Sequence, residues 1–145
     1  MPRGKQGGIS FGQRNKQRGQ SDLETLIGVR QYLFKRYKIR WVKREWYLLF
    51  NPAGKLFKFT ESVTKEEAEQ YKIKNPDIIF WHKKTGLVIV EVDGAVHDRK
   101  VSKTLERNEL YENAGIKFFV INLADAKELK LTIEDCIDMA MEKLL

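Results

Sequence analysis

The spacing of apolar residues divides the chain into elements. From Ser21 to about Tyr37, Leu23, Leu26, Ile27, Phe34 and Tyr37 recur at helical intervals, and Ser21 with Glu24 three residues later makes a capping box. This predicts a first helix. The aromatic, β-rich run IRWVKREWYLLF follows, then the turn Asn51-Pro52-Ala53-Gly54, then the alternating segment KLFKF, which together read as a strand and hairpin. Thr64 and Glu67 cap a short acidic helix that runs to Tyr71. Beyond Asn75 the chain turns apolar: DIIFW predicts one strand, Lys83-Lys84-Thr85-Gly86 a turn, and LVIVEVDG a second strand ending at Gly94. A helix from about Val101 to Ala114 sets Val101, Thr104, Leu105, Asn108 and Tyr111 on one side, and Gly115 stands where a helix C-terminal glycine belongs. IKFFVINL reads as a buried strand, and Thr132 caps a last amphipathic helix with Ile133, Ile137, Ala140, Met141 and Leu144 inward.

Acidic residues interrupt the two most apolar strands. Side chains alternate along a strand, so Asp77, Ile79 and Trp81 share one face of the first, and Leu87, Ile89, Glu91 and Asp93 share one face of the second. Strands joined by a short connection are usually neighbours, which would let all three acids converge. A carboxylate in so apolar a run is costly unless it is paired, hydrogen-bonded or bound to a cation. Mg²⁺, or Mn²⁺ in its place, suits such a site because hard cations take oxygen ligands and keep waters for chemistry. The arrangement fits phosphodiester hydrolysis, with His97 as a nearby group to handle the proton. Asp93 before Gly94 also has the composition of an ordinary turn, and Asp77 after Pro76 that of a turn cap. His82 reads as a polar loop residue. Trp41, Trp46, Tyr47, Phe57 and Phe59 read as hairpin core rather than as a base-stacking platform.

Charge and length narrow the partner. The chain has 145 residues, 42% hydrophobic, enough for one domain and too few for two: a basic, Gly- and Gln-rich tail over 1–20 and a single domain over 21–145. Arg3, Lys5, Arg14, Lys16 and Arg18 lie in that tail, which has no acidic residue, and account for five of the seven excess positive charges. Such a tail is expected to be flexible alone and to condense on a phosphate backbone, or else simply to solubilise. The only cysteine is Cys136 and the only histidines are His82 and His97, so neither a disulfide framework nor a four-ligand zinc site can be assembled. Any metal must be held mainly by oxygen. No apolar run reaches the length of a membrane span and the N-terminus lacks a secretory core, so the expectation is a soluble, cytoplasmic protein without a membrane partner.

Asn75-Pro76-Asp77, then a hydrophobic strand carrying Glu91-Val92-Asp93-Gly94, then His97-Asp98, resemble the PD-(D/E)XK nucleases. Within that superfamily the chain is most similar to the very short patch repair mismatch endonucleases and to related small domains with an E-x-D-G-x-x-H signature. The likeness continues through Arg107, eight residues before Gly115, into IKFFVIN, and back to Glu24, because the family often places a glutamate on its first helix near the metal. It spans about Ser21 to Leu123. The resemblance implies an α/β fold with a restriction-endonuclease-like αβββαβ core, its mixed central sheet flanked by helices. It implies a Mg²⁺-dependent DNA endonuclease, a nickase or structure-selective cutter used in repair, restriction or mobile-element mobility in a bacterium or phage. Asp77, Glu91 and Asp93 would hold the metal, with Glu24 and His97 completing the catalytic set. Lys100, Lys103 and Arg107 would join the tail on DNA, RNA being a compatible substrate as well. Asp93 stands where the superfamily has a lysine, so His97, Lys100 or Lys103 would take over the lysine's charge-stabilising role. That departure keeps a second reading open, a nucleic-acid-binding or assembly protein with the nuclease fold and no turnover. The stretch between Arg40 and Asp77 exceeds what compact members require and reads as a specificity insertion.

Overall fold

The computed structural model describes residues 20–94 and 98–145, with side chains placed for 23–94 and 102–145. Arg3, Lys5, Arg14, Lys16 and Arg18, the cap proposed for Ser21, His97, and the side chains of Lys100 and Val101 fall outside these. The described residues form a mixed α/β protein. A first helix, α1 (Gln20–Tyr37), leads to β1 (Val42–Arg44), and the chain returns to the same sheet at β5 (Ile78–His82) and β6 (Gly86–Asp93). Then α3 (Asp98–Asn113) crosses over to β7 (Lys117–Asn122). The strands lie in the order β1-β5-β6-β7, with β5 antiparallel to both β1 and β6, and β7 parallel to β6. A helix between two strands is what lets them run parallel, whereas the short turn over 83–85 forces β5 and β6 antiparallel. The succession α1-β1-β5-β6-α3-β7 is the expected αβββαβ order. Gly115 ends α3 with φ 74, a left-handed position that suits glycine.

Between β1 and β5 lies a segment with its own sheet. β2 (Tyr47–Phe50), β3 (Leu56–Thr60) and β4 (Lys72–Lys74) pair in the order β3-β2-β4, and α2 (Lys65–Gln70) sits between the last two in sequence, capped by Thr64 and Glu67 as expected. The single strand expected over IRWVKREWYLLF is in fact two strands in two sheets. They part at Glu45, whose φ of 65 is a left-handed backbone that no strand can run through. After β7 the chain does not stay extended: Leu123 begins a short helix, α4 (Leu123–Glu128), whose first turn is capped by the Asn122 side chain accepting from the Asp125 N–H at 2.9 Å.

The larger sheet is covered on both faces. Ile78, Phe80, Val88, Val90 and Ile121 pack with Leu26, Val29 and Leu33 of α1 and with Ile137 and Met141 of α5 (Ile133–Leu144). The α1 stripe differs from expectation, because Ile27 and Phe34 are 39% and 52% exposed while Val29 and Leu33 are fully buried. Two apolar stripes lie about 100° apart on this helix, and packing against α5 selects Leu26, Val29 and Leu33, worth about 1.5–3 kcal/mol for each fully buried side chain. Tyr32 and Tyr37 tie the two helices together by donating to Asp138 at 2.8 and 2.5 Å. On the opposite face Ile79 and Ile89 meet Leu48 and Phe50 of the small sheet and Tyr111 of α3. Leu105, expected on the inner side of α3, is 59% exposed, since it lies a residue out of phase with Thr104, Asn108 and Tyr111. No helix among the described residues is long and apolar enough to cross a membrane.

Candidate active site

Pairing between β5 and β6 ends at Ile78 opposite Val90, just after buried Pro76, so Asp77 is the first residue past the ladder and its register partner is Glu91. Both lie on the face that carries Ile79 and Ile89. Side chains take over where backbone pairing stops: Asp77 Oδ2 accepts from the Val92 N–H at 2.7 Å, and Glu91 Oε1 accepts from the Asp77 N–H at 3.3 Å. Asp77 and Glu91 are the buried charged residues of the described chain, 8% and 5% exposed. From α3, the Tyr111 hydroxyl donates to Glu91 Oε2 at 2.8 Å. Tyr111 is itself fully buried and wedged between rings, stacked at 6.3 Å on Phe50 and edge-on at 5.4 Å to Phe118.

Burial and the neighbouring Asp77 charge push the Glu91 carboxyl up to about 7, against the opposing pull of Arg107, the Tyr111 hydroxyl and the Asp77 N–H. Tyr111 is raised well above the ordinary phenol range by burial and by the same carboxylate. Arg107 approaches from α3: its Nη1 and Nη2 donate to the two carboxylate oxygens of Asp93 at 3.2 and 3.3 Å, and its Nε lies 3.7 Å from Glu91 Oε2. Its Nε and Nη2 also donate to Asn108 Oδ1. Two parallel bonds make this a bidentate, charge-assisted pair, the stronger kind of ion contact. Lys74, at the end of β4, is pulled below its usual value by burial first and by Lys72 second, and it also feels Glu106, Arg107 and Glu91.

Asp77 and Glu91 are thus brought together as their alternation suggested, while the Asp93 carboxylate is turned to Arg107. Among the described residues no three histidine, cysteine or acidic side chains gather closely enough to hold an ion. Glu24 is exposed on α1, which packs on the sheet face opposite to the one bearing Asp77 and Glu91. Lys103 is exposed on α3. His97, the Lys100 side chain and the five tail cations lie outside the described residues. His82, expected in a loop, is instead the last residue of β5, its Nδ1 accepting from the Lys84 N–H at 3.0 Å. Trp41, Trp46 and Phe59 meet edge-on or tilted in the core under the small sheet, whereas Phe57 is 54% exposed and stacks on Tyr71 at 4.7 Å. Sequence reasoning missed the Tyr111 hydrogen bond to Glu91 and the placement of half-buried Lys74 near it. Tyr111 carried a usable signal, since a tyrosine on the inner face of a helix needs a partner for its hydroxyl. Compared with protein-family models, curated proteins and solved structures, the chain matches none of them.

Proposed function

We propose that the protein is a metal-dependent endonuclease that hydrolyses DNA phosphodiester bonds at the Asp77–Glu91 pair, the chemistry of the PD-(D/E)XK nucleases its motifs resemble. The observation that carries this reading is the pair itself: two buried carboxylates from adjacent strands, with Glu91 pushed up to about 7 because burial and Asp77 outweigh the nearby positive charge. A site with excess buried negative charge and hard oxygen donors fits a divalent cation. Mg²⁺ or Mn²⁺, when bound, would polarise a phosphoryl oxygen and make water a competent nucleophile at neutral pH. Asp77 and Glu91 would hold it, and Asp93 would join them on leaving Arg107. Tyr111 and the Asp77 N–H fix the orientation of the Glu91 carboxylate. Arg107 offers a guanidinium to the phosphate that undergoes attack, and His97 follows β6 closely enough in sequence to serve as proton relay.

The test is cleavage of linear, nicked, branched and mismatched DNA in Mg²⁺ by the wild type, Asp77→Asn and Glu91→Gln. An amide keeps the shape and removes the charge, so both variants should lose cleavage while keeping duplex binding, which comes mainly from lysine and arginine at phosphates. A wild type that cuts no DNA or RNA in Mg²⁺ or Mn²⁺, or variants that cut as well as it does, would end the catalytic reading. The bidentate Arg107–Asp93 pair favours a second one, in which an internal cation sits where a metal would and the protein binds nucleic acid without turnover. The two part on heat: only the first requires Mg²⁺ to raise the melting temperature by mass action.

A further inference from the structure

The segment Lys72-Ile73-Lys74-Asn75-Pro76-Asp77 runs without a break from the edge strand of the small sheet into the carboxylate pair. Residues paired across antiparallel strands point to the same face, and the register sets Lys74 opposite Leu48 and Lys72 opposite Phe50. Leu48 and Phe50 face Ile79, Ile89 and Tyr111. Both lysines therefore lie on the face of the small sheet that is turned toward the site, on the strand that ends that sheet. Their Cα atoms are about 6.6 Å apart by the rise of a strand. Asn75 fixes the segment beyond them, its Nδ2 donating to the Trp46 carbonyl at 2.7 Å.

Lys74 is half-buried, and among the described residues its ammonium forms no ion pair or hydrogen bond. Its charged surroundings are Lys72 and Arg107, which repel it, and Glu106 and Glu91, which attract it from beyond contact. Two distant carboxylates offset the two cations, so what this ammonium lacks is an anion in contact, and a partly desolvated ammonium without one is an unfavourable arrangement. We infer that Lys72 and Lys74 form a phosphate-binding pair that lays the backbone of a nucleic-acid strand along β4 and delivers it to Asp77 and Glu91. The inference rests on the nuclease reading for the identity of the anion as a phosphodiester. It also accounts for the small sheet, because that sheet then supplies positive charge from a strand other than those that carry the carboxylates.

The experiment uses the full-length protein and a fluorescein-labelled DNA duplex without metal, with affinity followed by anisotropy over a range of salt concentrations. Each lost phosphate contact lowers the slope of log affinity on log salt by about 0.9. Lys74→Met and Lys72→Met should each lower the slope by about that amount, and Lys74→Arg should keep it. Lys143→Met, on α5 across the larger sheet, should leave the slope unchanged. The series is repeated in a Glu91→Gln background, where carboxylate repulsion of the phosphate is reduced. A merely structural counter-charge at Lys74 would change melting and leave the slope alone, so a wild-type slope for Lys74→Met in both backgrounds overturns the inference, as does an equal loss for Lys143→Met or a wild type that binds no DNA. If the wild type fails to cleave in Mg²⁺ or Mn²⁺ and Lys74→Met still lowers the slope, the phosphate site stands and the nuclease reading falls. If the wild type cleaves and the slope is unmoved, the phosphate site falls alone.

Discussion

Glu91→Gln separates the charge of the site from its shape. In the folded protein the Glu91 carboxyl is pushed up to about 7 from an ordinary value of 4.5, burial being the first cause and Asp77 the second. A group raised on folding contributes stability that is fully present below its unfolded value and is lost as pH rises through the folded one. The metal-free wild type should therefore lose stability between about pH 4.5 and 7, on the order of 3 kcal/mol at about 1.4 kcal/mol per pH unit. Glutamine does not titrate, and the Tyr111 hydroxyl can rotate to accept from the new amide. Replacing a charge-assisted hydrogen bond by a neutral one costs about 1 kcal/mol, leaving the variant about 2 kcal/mol more stable at pH 8, or roughly 6 °C in melting temperature for a chain of this size. At pH 5 the gain should vanish. If the pair holds Mg²⁺ as proposed, saturating Mg²⁺ should reverse the order at pH 8, since a ligand at a hundred times its dissociation constant stabilises by about 2.7 kcal/mol and only the wild type keeps both charges. The assay is thermal melting of both proteins at pH 5 and pH 8, in chelator and in Mg²⁺. A variant less stable than wild type at pH 8, or a gap that is the same at both pH values, would refute the argument from buried charge.

Tyr111→Phe removes a bond that favours the ionised Glu91, so the acidic limb of the cleavage profile should move to higher pH; an unmoved limb would show that Glu91 does not set it. Arg107→Met releases Asp93, and the melting shift produced by Mg²⁺ should grow; a smaller shift would mean that Arg107 and the cation do not compete. Deleting residues 1–20 removes five lysines and arginines and should flatten the salt dependence of duplex binding by up to roughly 4.5 in slope, whereas an unchanged slope leaves the tail a solubiliser. In chemical denaturation, Leu105→Lys should stay within about 0.5 kcal/mol of wild type, because Leu105 is exposed, while Leu33→Ala should cost about 2–5 kcal/mol.

The parts of the fold legible in the sequence were those where one pattern had one interpretation. DIIFW and LVIVEVDG are too apolar and too short for anything but strands in a covered sheet, and the four-residue turn between them left antiparallel pairing as the simple outcome. Alternation then placed Asp77 and Glu91 on one face, and the register brings them opposite each other. Where two apolar stripes competed, as on α1, only tertiary packing could choose between them, and it chose Val29 and Leu33 over Phe34. The second sheet was hidden because the backbone reversal that creates it is a single left-handed residue, Glu45, with no glycine to signal it. The bidentate partner of Asp93 was hidden for a similar reason. Arg107 is fourteen residues away across a helix whose rotational phase the sequence did not fix, and the same error of phase placed Leu105 inside.

The small sheet is built into the site rather than appended to it. Phe50 stacks on Tyr111, Tyr111 holds Glu91, Asn75 anchors the approach to Asp77 through the Trp46 carbonyl, and Leu48 closes the apolar face over Ile79 and Ile89. Glu91 owes its raised value to burial before any other cause. The same sheet that positions Lys72 and Lys74 thus also braces Tyr111, the hydroxyl partner of Glu91. On the proposed reading a cation and a phosphodiester would relieve opposite halves of this arrangement: the first would answer the crowded carboxylates, the second half-buried Lys74 and its neighbour Lys72. Each ligand reduces the electrostatic cost that the other leaves standing, so metal and nucleic acid should bind with positive coupling, and by linkage each should tighten the other by the same factor.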